Sequence, residues 1–366
     1  MSNKKKVWSQ HELIALTYLP SINATHCRTI CEQFDSLNDM MSNYSTHPYL
    51  RKLSEGNIFF DNIIENSIKE AEIQIELCEK NNVHISSWMD THYPNRLRNI
   101  SYPPFIIYAK GQLENEDKPT IGIVGTRRST EYGKQVTQKF TEEFVHVGVI
   151  TISGLANGID TFVHKFTIKE KGTTYAIIAS GIDKISPRHS AYLSDQIIDS
   201  GGAVISEYRC GTNALQGYFP QRNRIISGLS DAVLVIESGI KGGALITAQF
   251  AFEQNRPLFA IPGSIFFEKT AGTNALIQKN MAAMAISPRD VLTEIGVKSE
   301  NTIESTETET NSFEKLILSH LSNGSVTIDE LSLKVNQPTQ ELLSTLLLLE
   351  FRGLVRQLPG KQFVRS

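Results

Sequence analysis

Several short stretches of the chain combine glycine with hydroxyl and guanidinium side chains, the mixture an anion site requires. Gly125-Thr126-Arg127-Arg128-Ser129 follows an apolar run and precedes a helical pattern from about Glu131. Glycine lets a backbone come close to a phosphate, Thr126 and Ser129 offer hydroxyls, Arg127 can grip an oxyanion with two nitrogens, and a helix start adds a positive field. The same residues would equally make a surface turn with solvated arginines. Ser153-Gly154-Leu155-Ala156-Asn157-Gly158-Ile159-Asp160 is a second glycine-bearing loop, with His164 one helical turn on. Asp160 and His164 could form a metal or acid/base pair. No third ligand accompanies them, so Asp160 is expected to brace the loop and His164 to be a hydrogen-bonded helix residue. Further on stand Ile185-Ser186-Pro187-Arg188 and Phe219-Pro220-Gln221-Arg222-Asn223-Arg224. Planar donors at a helix start beside an aromatic ring are what single-strand binders use. The alternative is arginines bridging to local carboxylates with Phe219 in the core. Lys241-Gly242-Gly243-Ala244-Leu245-Ile246-Thr247 opens another helix and offers a second cradle of backbone amides. No G-x-G-x-x-G or G-x-x-x-x-G-K-[ST] spacing is present, so neither NAD nor ATP is indicated and no cofactor is expected.

Something must hold these loops together, and the pattern between them says what. Six apolar runs (120–125, 149–153, 174–179, 203–206, 232–236 and 257–261) alternate with helical segments. Runs that are apolar throughout, with no alternation, belong to strands buried on both faces, as in a parallel sheet with helical crossovers. The fold class is therefore α/β, a Rossmann-like parallel sheet, whose ligands sit at the carboxyl ends of the strands. Residues 1–82 read as short amphipathic helices forming a small domain, and 83–298 as the extended Rossmann-like domain. Residues 299–312, acidic and rich in Ser and Thr, read as a linker. Residues 313–366 follow the order of a winged helix, with Thr339 as the expected cap of its recognition helix.

Bulk properties narrow the partners. At 366 residues, 40% hydrophobic and 20% charged, the chain is globular in composition, and no apolar run approaches the roughly 20 residues that span a bilayer. The polar stretch after Lys6 is unlike a signal peptide, so a cytoplasmic location is expected. Cys27, Cys31, Cys78 and Cys210 lack metal-site spacing and read as reduced thiols. Net charge is −3, which opposes polyanion binding, yet residues 120–290 hold 17 Lys and Arg against 14 Asp and Glu. So small an excess requires placed groups at loop ends.

Taken together, the phrases IGIVGTRRSTEYG, ISGLANGIDTFVH, GIDKISPRHS, VISEY, FPQRNRIISGLSDAVLVIE, GGALITAQFA and FAIPGSIFFEKTAGTNALI resemble, in order and interval, the DNA-processing protein A (DprA or Smf) family. HYPNRLRNISYPPFIIYAKGQL upstream is also family-like, and the C-terminal winged helix matches an appendage of many members. The resemblance implies a SAM or helix-hairpin-helix-like N-terminal region. It implies a non-enzymatic protein that binds incoming single-stranded DNA in natural transformation and recombination, shields it and helps load the RecA recombinase. It also implies a homodimer through the Rossmann domain. By position it implies DNA contacts from Gly125, Thr126 and Arg127, from Arg188, from Phe219 and Arg222 to Arg224, and from Gly242 to Thr247. Gly242 and Ala244 depart from the family's serines, and Leu19-Pro20-Ser21-Ile22-Asn23 replaces a glycine-bearing hairpin. Two other readings remain open: a nucleotide-cleaving Rossmann enzyme of the phosphoribohydrolase type, although no glutamate follows Thr247 at the needed spacing, and a winged-helix regulator. The winged helix holds six Lys and Arg against five Asp and Glu, a balance that favours protein contact over duplex reading.

Overall fold

The computed structural model describes residues 8–43, 46–48, 50, 60–113, 117–297, 312–321, 325–351, 354–358 and 362–365. They fall into two compact units, 1–299 and 300–366, each taken by itself.

The larger unit begins with α1 (Gln10–Leu16), α2 (Ala24–Gln33), α3 (Leu37–Ser42) and α4 (Phe60–Lys80). Ser9 starts α1 through a reciprocal cap: its hydroxyl accepts from the Glu12 amide, and the Glu12 carboxylate accepts from the Ser9 amide at 2.8 Å. There follow β1 (His84–Ser87), α5 (Asn95–Arg98), β2 (Ile106–Gly111) and β3 (Thr120–Val124). Beyond them come α6 (Glu131–His146), β4 (Ile150–Ser153), α7 (Ile159–Lys169), β5 (Thr174–Ile177), α8 (Ala191–Asp199) and β6 (Ala203–Ser206). The unit is completed by α9 (Tyr218–Leu229), β7 (Ala232–Val235), α10 (Ala244–Glu253), β8 (Leu258–Ala260), α11 (Glu268–Gln278), β9 (Ala283–Met284) and α12 (Pro288–Glu294).

Nine strands make one sheet in the order β1-β2-β6-β5-β4-β3-β7-β8-β9. Every neighbouring pair from β6 to β9 is parallel. All six runs expected to be strands are strands, and every residue of β3 to β8 is buried, as their unbroken apolar character requires. The sheet is mixed, however, because β2 is antiparallel to both β6 and β1. Those two strands were not foreseen: β1 is half exposed and short, and carries no continuous apolar signal.

Both faces of the sheet are covered. Phe140 and Phe144 of α6, Ile159 and Val163 of α7, and Val291 and Leu292 of α12 pack on one side with Ile121, Ile123 and Leu234. Ile225, Ile226 and Leu229 of α9 and Ala244, Ala248 and Ala251 of α10 pack with Val124, Val233 and Val235. Each fully buried isoleucine or phenylalanine contributes roughly 2 kcal/mol of transfer free energy. Threonines inside the sheet satisfy one another: Thr151 Oγ1 lies 2.7 Å from Thr167 Oγ1 and 2.9 Å from that of Thr174, which also meets His164 Nδ1 at 2.8 Å. The expected boundary at residue 82 is not a seam in the packing. Leu13, Ile30, Cys31 and Cys78 share one core with Phe105, Tyr108, Ile178 and Val204.

The smaller unit runs α13 (Ser312–His320), β10 (Val326–Thr327), α14 (Ile328–Val335), α15 (Thr339–Phe351), β11 (Val355–Leu358) and β12 (Gln362–Arg365), with sheet order β10-β12-β11. This is the winged-helix order expected from sequence, around Ile317, Leu331, Leu346 and Phe363. Thr339 is not the cap of α15 but its first residue, since the amides of Glu341 and Leu342 both bond the Pro338 carbonyl, each at 3.1 Å. Most of the expected linker and the turn at Pro359-Gly360 lie outside the described residues. No helix among the described residues is long and apolar enough to cross a membrane.

Candidate nucleic-acid interface

The strand order reverses at β3, which has β4 on one side and β7 on the other. Chain leaving β3 and chain leaving β7 therefore diverge and open a crevice at the carboxyl edge. A cleft of about 830 Å³ lies there. It brings together Gly125, Thr126 and Arg127 from the first loop, Phe219, Arg222 and Asn223 from α9, and Gly242, Gly243, Ala244 and Thr247 from the start of α10. Ser129, Gly154, Arg188 and Arg224 do not line it.

The first loop is latched by internal hydrogen bonds. The Thr126 amide donates to the Glu237 carbonyl at 2.8 Å, the Arg128 amide to Thr126 Oγ1 at 3.3 Å, and the Thr130 amide to Glu237 Oε2 at 3.0 Å. The Thr130 hydroxyl donates to Glu237 Oε1 and accepts the Gly133 amide, capping α6. A backbone phosphate cradle here is thus reduced, because the Thr126, Arg128 and Thr130 amides are already engaged, while those of Arg127 and Ser129 donate to no group among the described residues. Gly125 answers to packing: a methyl group on it would stand 2.5 Å from Ile159. What the loop presents is the exposed Arg127, its guanidinium carbon 5.3 Å from the centroid of the Phe219 ring. Phe219 itself is half-buried, not in the core.

The second loop keeps its amides open. Those of Gly243 and Ala244 donate to no group among the described residues, whereas Leu245 and Ile246 bond back to Gly242 and Gly243 at 3.0 and 3.1 Å. Gly243 has φ −60° and ψ −24°, a conformation open to any residue, and a methyl group on it would meet no atom within 4 Å. Neither backbone nor packing calls for glycine; its effect is to leave the N-terminus of α10 uncovered, where partial positive charge favours an anion. Gly242 is different, since a methyl there would fall 2.1 Å from the Ser238 hydroxyl, so the serine of the family loop has no room at this position.

The arginines of α9 need correction. Arg222 is only 3% exposed. Its Nη1 donates to the Gly154 carbonyl at 2.6 Å and its Nε to Asn223 Oδ1 at 3.2 Å, which makes it a floor beneath the cleft. Burial lowers its pKa to about 10. Burial also raises the neighbouring Asp160 to about 6, partly offset by the Arg222 charge and by hydrogen bonds to its carboxylate, among them one from the Gly154 amide at 3.2 Å. Gly154, trapped between the two, is buried. Arg224 points elsewhere and is spent on a fork to Glu207 at 2.7 and 2.6 Å and on the Tyr102 carbonyl at 2.9 Å. Arg188 is exposed, one residue before His189, whose Nε2 lies 2.8 Å from Asn157 Oδ1. As expected, Asp160 braces its loop and His164 is a buried helix residue, its pKa lowered by burial to about 3. Among the described residues no group of carboxylates, histidines and cysteines could hold a metal, and the four cysteines, all buried, form no disulfide.

Sequence reasoning missed Arg128, Glu268 and Lys269, which also line the cleft. The signal for Lys269 was present, since it follows the sixth apolar run and residues after strand ends are the ones to inspect.

Both units of the chain are similar to known proteins. A family model for DNA recombination-mediator protein A matches residues 84–296, and one for the DprA winged helix domain matches 304–361. The chain is 42% identical to the DNA processing protein DprA of Bacillus subtilis over 59% of this chain and 71% of that one. It is 32% identical to Protein Smf of Escherichia coli over 80% of this chain and 81% of the other. Among solved structures, DprA of Streptococcus pneumoniae superposes with a TM-score of 0.65 at 29% identity, covering 78% of this chain and 98% of that one. DprA of Helicobacter pylori, whose structure concerns its single-stranded DNA binding mode, gives a TM-score of 0.52 at 27% identity, covering 58% of this chain and 95% of the other. With a Rossmann-like sheet, a glycine-opened cleft at its reversal point and an appended winged helix, the chain belongs to the DprA/Smf family of DNA processing proteins.

Proposed function

We propose that the chain binds single-stranded DNA along this cleft, without catalysis, and that in the cytoplasm it shields incoming strands during natural transformation and recombination and helps load RecA. The observation that carries the reading is the pairing of an uncovered helix N-terminus at Gly243-Ala244 with an exposed Arg127 set over Phe219. Two phosphates and one base fit that chemistry: amides and guanidinium for the oxyanions, the ring for stacking. The likeness to the H. pylori protein supports it. A binding role is also favoured over hydrolysis by how the buried carboxylates are used, since Asp160 and Glu237 give their oxygens to loop amides. Homodimerisation through the Rossmann domain belongs to the same proposal.

The winged helix is assigned to protein contact. The α15 sequence TQELLSTLLLLEF contains no Lys or Arg, and Leu343, Leu347 and Leu348 are each about half exposed on it. A helix that offers leucine and glutamate to a polyanion has no electrostatic gain there.

Fluorescence anisotropy with oligo-dT and a matched duplex, across a salt series, tests the proposal. Tighter binding of the single strand, falling steeply with salt, is the expected result. Equal or stronger duplex binding, or release of free base from AMP, would overturn it.

A further inference from the structure

Just past the cleft wall, Ile265, Phe266 and Phe267 stand 83%, 88% and 63% exposed on the loop between β8 and α11. Folding alone does not explain three such neighbours in solvent, because exposing them forgoes the transfer free energy that burial would bring. Nor is the loop loosely held. The Gly263 amide donates to Asn274 Oδ1 at 3.1 Å, and the Gly263 carbonyl accepts from Asn274 Nδ2 at 2.9 Å. The buried Thr270 hydroxyl lies 2.6 Å from the Ser264 carbonyl and 2.9 Å from that of Phe267. The Phe266 amide donates to Ser264 Oγ at 3.3 Å, the Phe267 amide to the Ser264 carbonyl at 3.2 Å, and Tyr132 Oη to the Pro262 carbonyl at 3.0 Å. Two phenyl rings are thus displayed on a backbone fixed from several sides, which lowers the entropic cost of using them for binding.

Their position names the occupant. Glu268 and Lys269, the next two residues, line the cleft, and α11 is tied to the cleft's own loop by the Gly272 amide donating to the Ser238 carbonyl at 2.8 Å. The aromatic tip is therefore continuous with the anion site, with a cation at the junction. Resting on the single-strand reading above, we infer that this loop is a second, base-stacking subsite: nucleobases of a strand leaving the cleft stack on Phe266 and Phe267 while Lys269 faces the phosphate between. Every base has a π-face, so such a platform holds a strand without reading its sequence.

The test uses the full chain and oligo-dT of increasing length in anisotropy titrations. The F266A/F267A double variant should bind the shortest strands, which fill only the cleft, as the unaltered protein does. It should bind longer strands more weakly, by about fivefold or more for each base no longer stacked, with the salt slope unchanged because no charge is lost. F266W should keep long-strand affinity and report binding by quenching of its fluorescence. Equal affinity of the double variant at every length would overturn the subsite. So would a change in sedimentation mass, or the loss of binding to phosphatidylglycerol vesicles, with strand affinity unaltered, since the loop would then serve a second copy or a membrane. The underlying reading fails separately, if the unaltered protein binds no strand of any length.

Discussion

Arg127 is the arginine on which cleft affinity should turn, and its replacement by alanine gives the most direct test. Arg222 lies in the floor and Arg224 is neutralised by Glu207, so neither charge is available to a phosphate. Arg127 is exposed, makes no ion pair among the described residues, and is steadied only by the ring of Phe219 at 5.3 Å. A hydrogen bond to a charged group contributes about 1.5–3 kcal/mol, so Arg127→Ala should weaken oligo-dT binding by about tenfold to a hundredfold. One phosphate contact on a single strand accounts for about 0.7 in the log-log salt slope. Between 50 and 200 mM salt the gap between the two proteins should then narrow by about 2.6-fold. Anisotropy titrations at four or more salt concentrations would read both quantities. A variant with the original slope and affinity would refute the reasoning, because no other loop-end arginine of the cleft besides Arg128 has a charge to spare.

Three further outcomes are expected. Gly243→Val should leave thermal unfolding unchanged, since the side chain enters open space, yet weaken strand binding by about tenfold or more by covering the amides of α10; a valine variant with full affinity would exclude that helix terminus as the anion site. Arg224→Ala should do the reverse, preserving the salt slope while costing about 3–5 kcal/mol in urea unfolding, because Glu207 is left largely buried without its partner; an altered slope with unchanged stability would place Arg224 at the DNA after all. His164 takes up its proton near pH 6.5 when unfolded but near 3 when folded, so acidification through that window should cost up to about 1.4 kcal/mol per pH unit. Asp160, raised to about 6, acts in the opposite sense below that pH, so the His164 share is the difference in urea-unfolding slope between the original chain and His164→Gln at pH 7 and 5; identical slopes would count against a neutral buried imidazole.

The sheet was legible because strands buried on both faces leave unbroken apolar runs, and all six were located to within a residue or two. What announced itself poorly was half-exposed or short, as with β1, or depended on partners distant in sequence. Glycine-rich loops marked the right strand ends, but the sequence pattern of 222–224 could not reveal that Arg222 bonds a carbonyl at position 154, or that Arg224 forks onto Glu207. Both are long-range contacts, invisible to local spacing. Residues 242–244 show the converse case: an open helix start can be inferred locally, whereas the Ser238 hydroxyl that excludes a side chain at 242 comes from the end of the preceding strand.

Glu237 carries one more implication. Its backbone and carboxylate join the chain beyond β7 to the chain beyond β3, so the wall of the crevice that carries Arg127 is held by the fold's own hydrogen bonds. Ordering on encounter then falls almost wholly on the nucleic acid. Capture of a short oligonucleotide should follow a single exponential, with a rate linear in concentration and governed by collision and ionic strength, and hydrogen exchange at the Thr126 and Thr130 amides, both held by Glu237, should be slow with or without a bound strand.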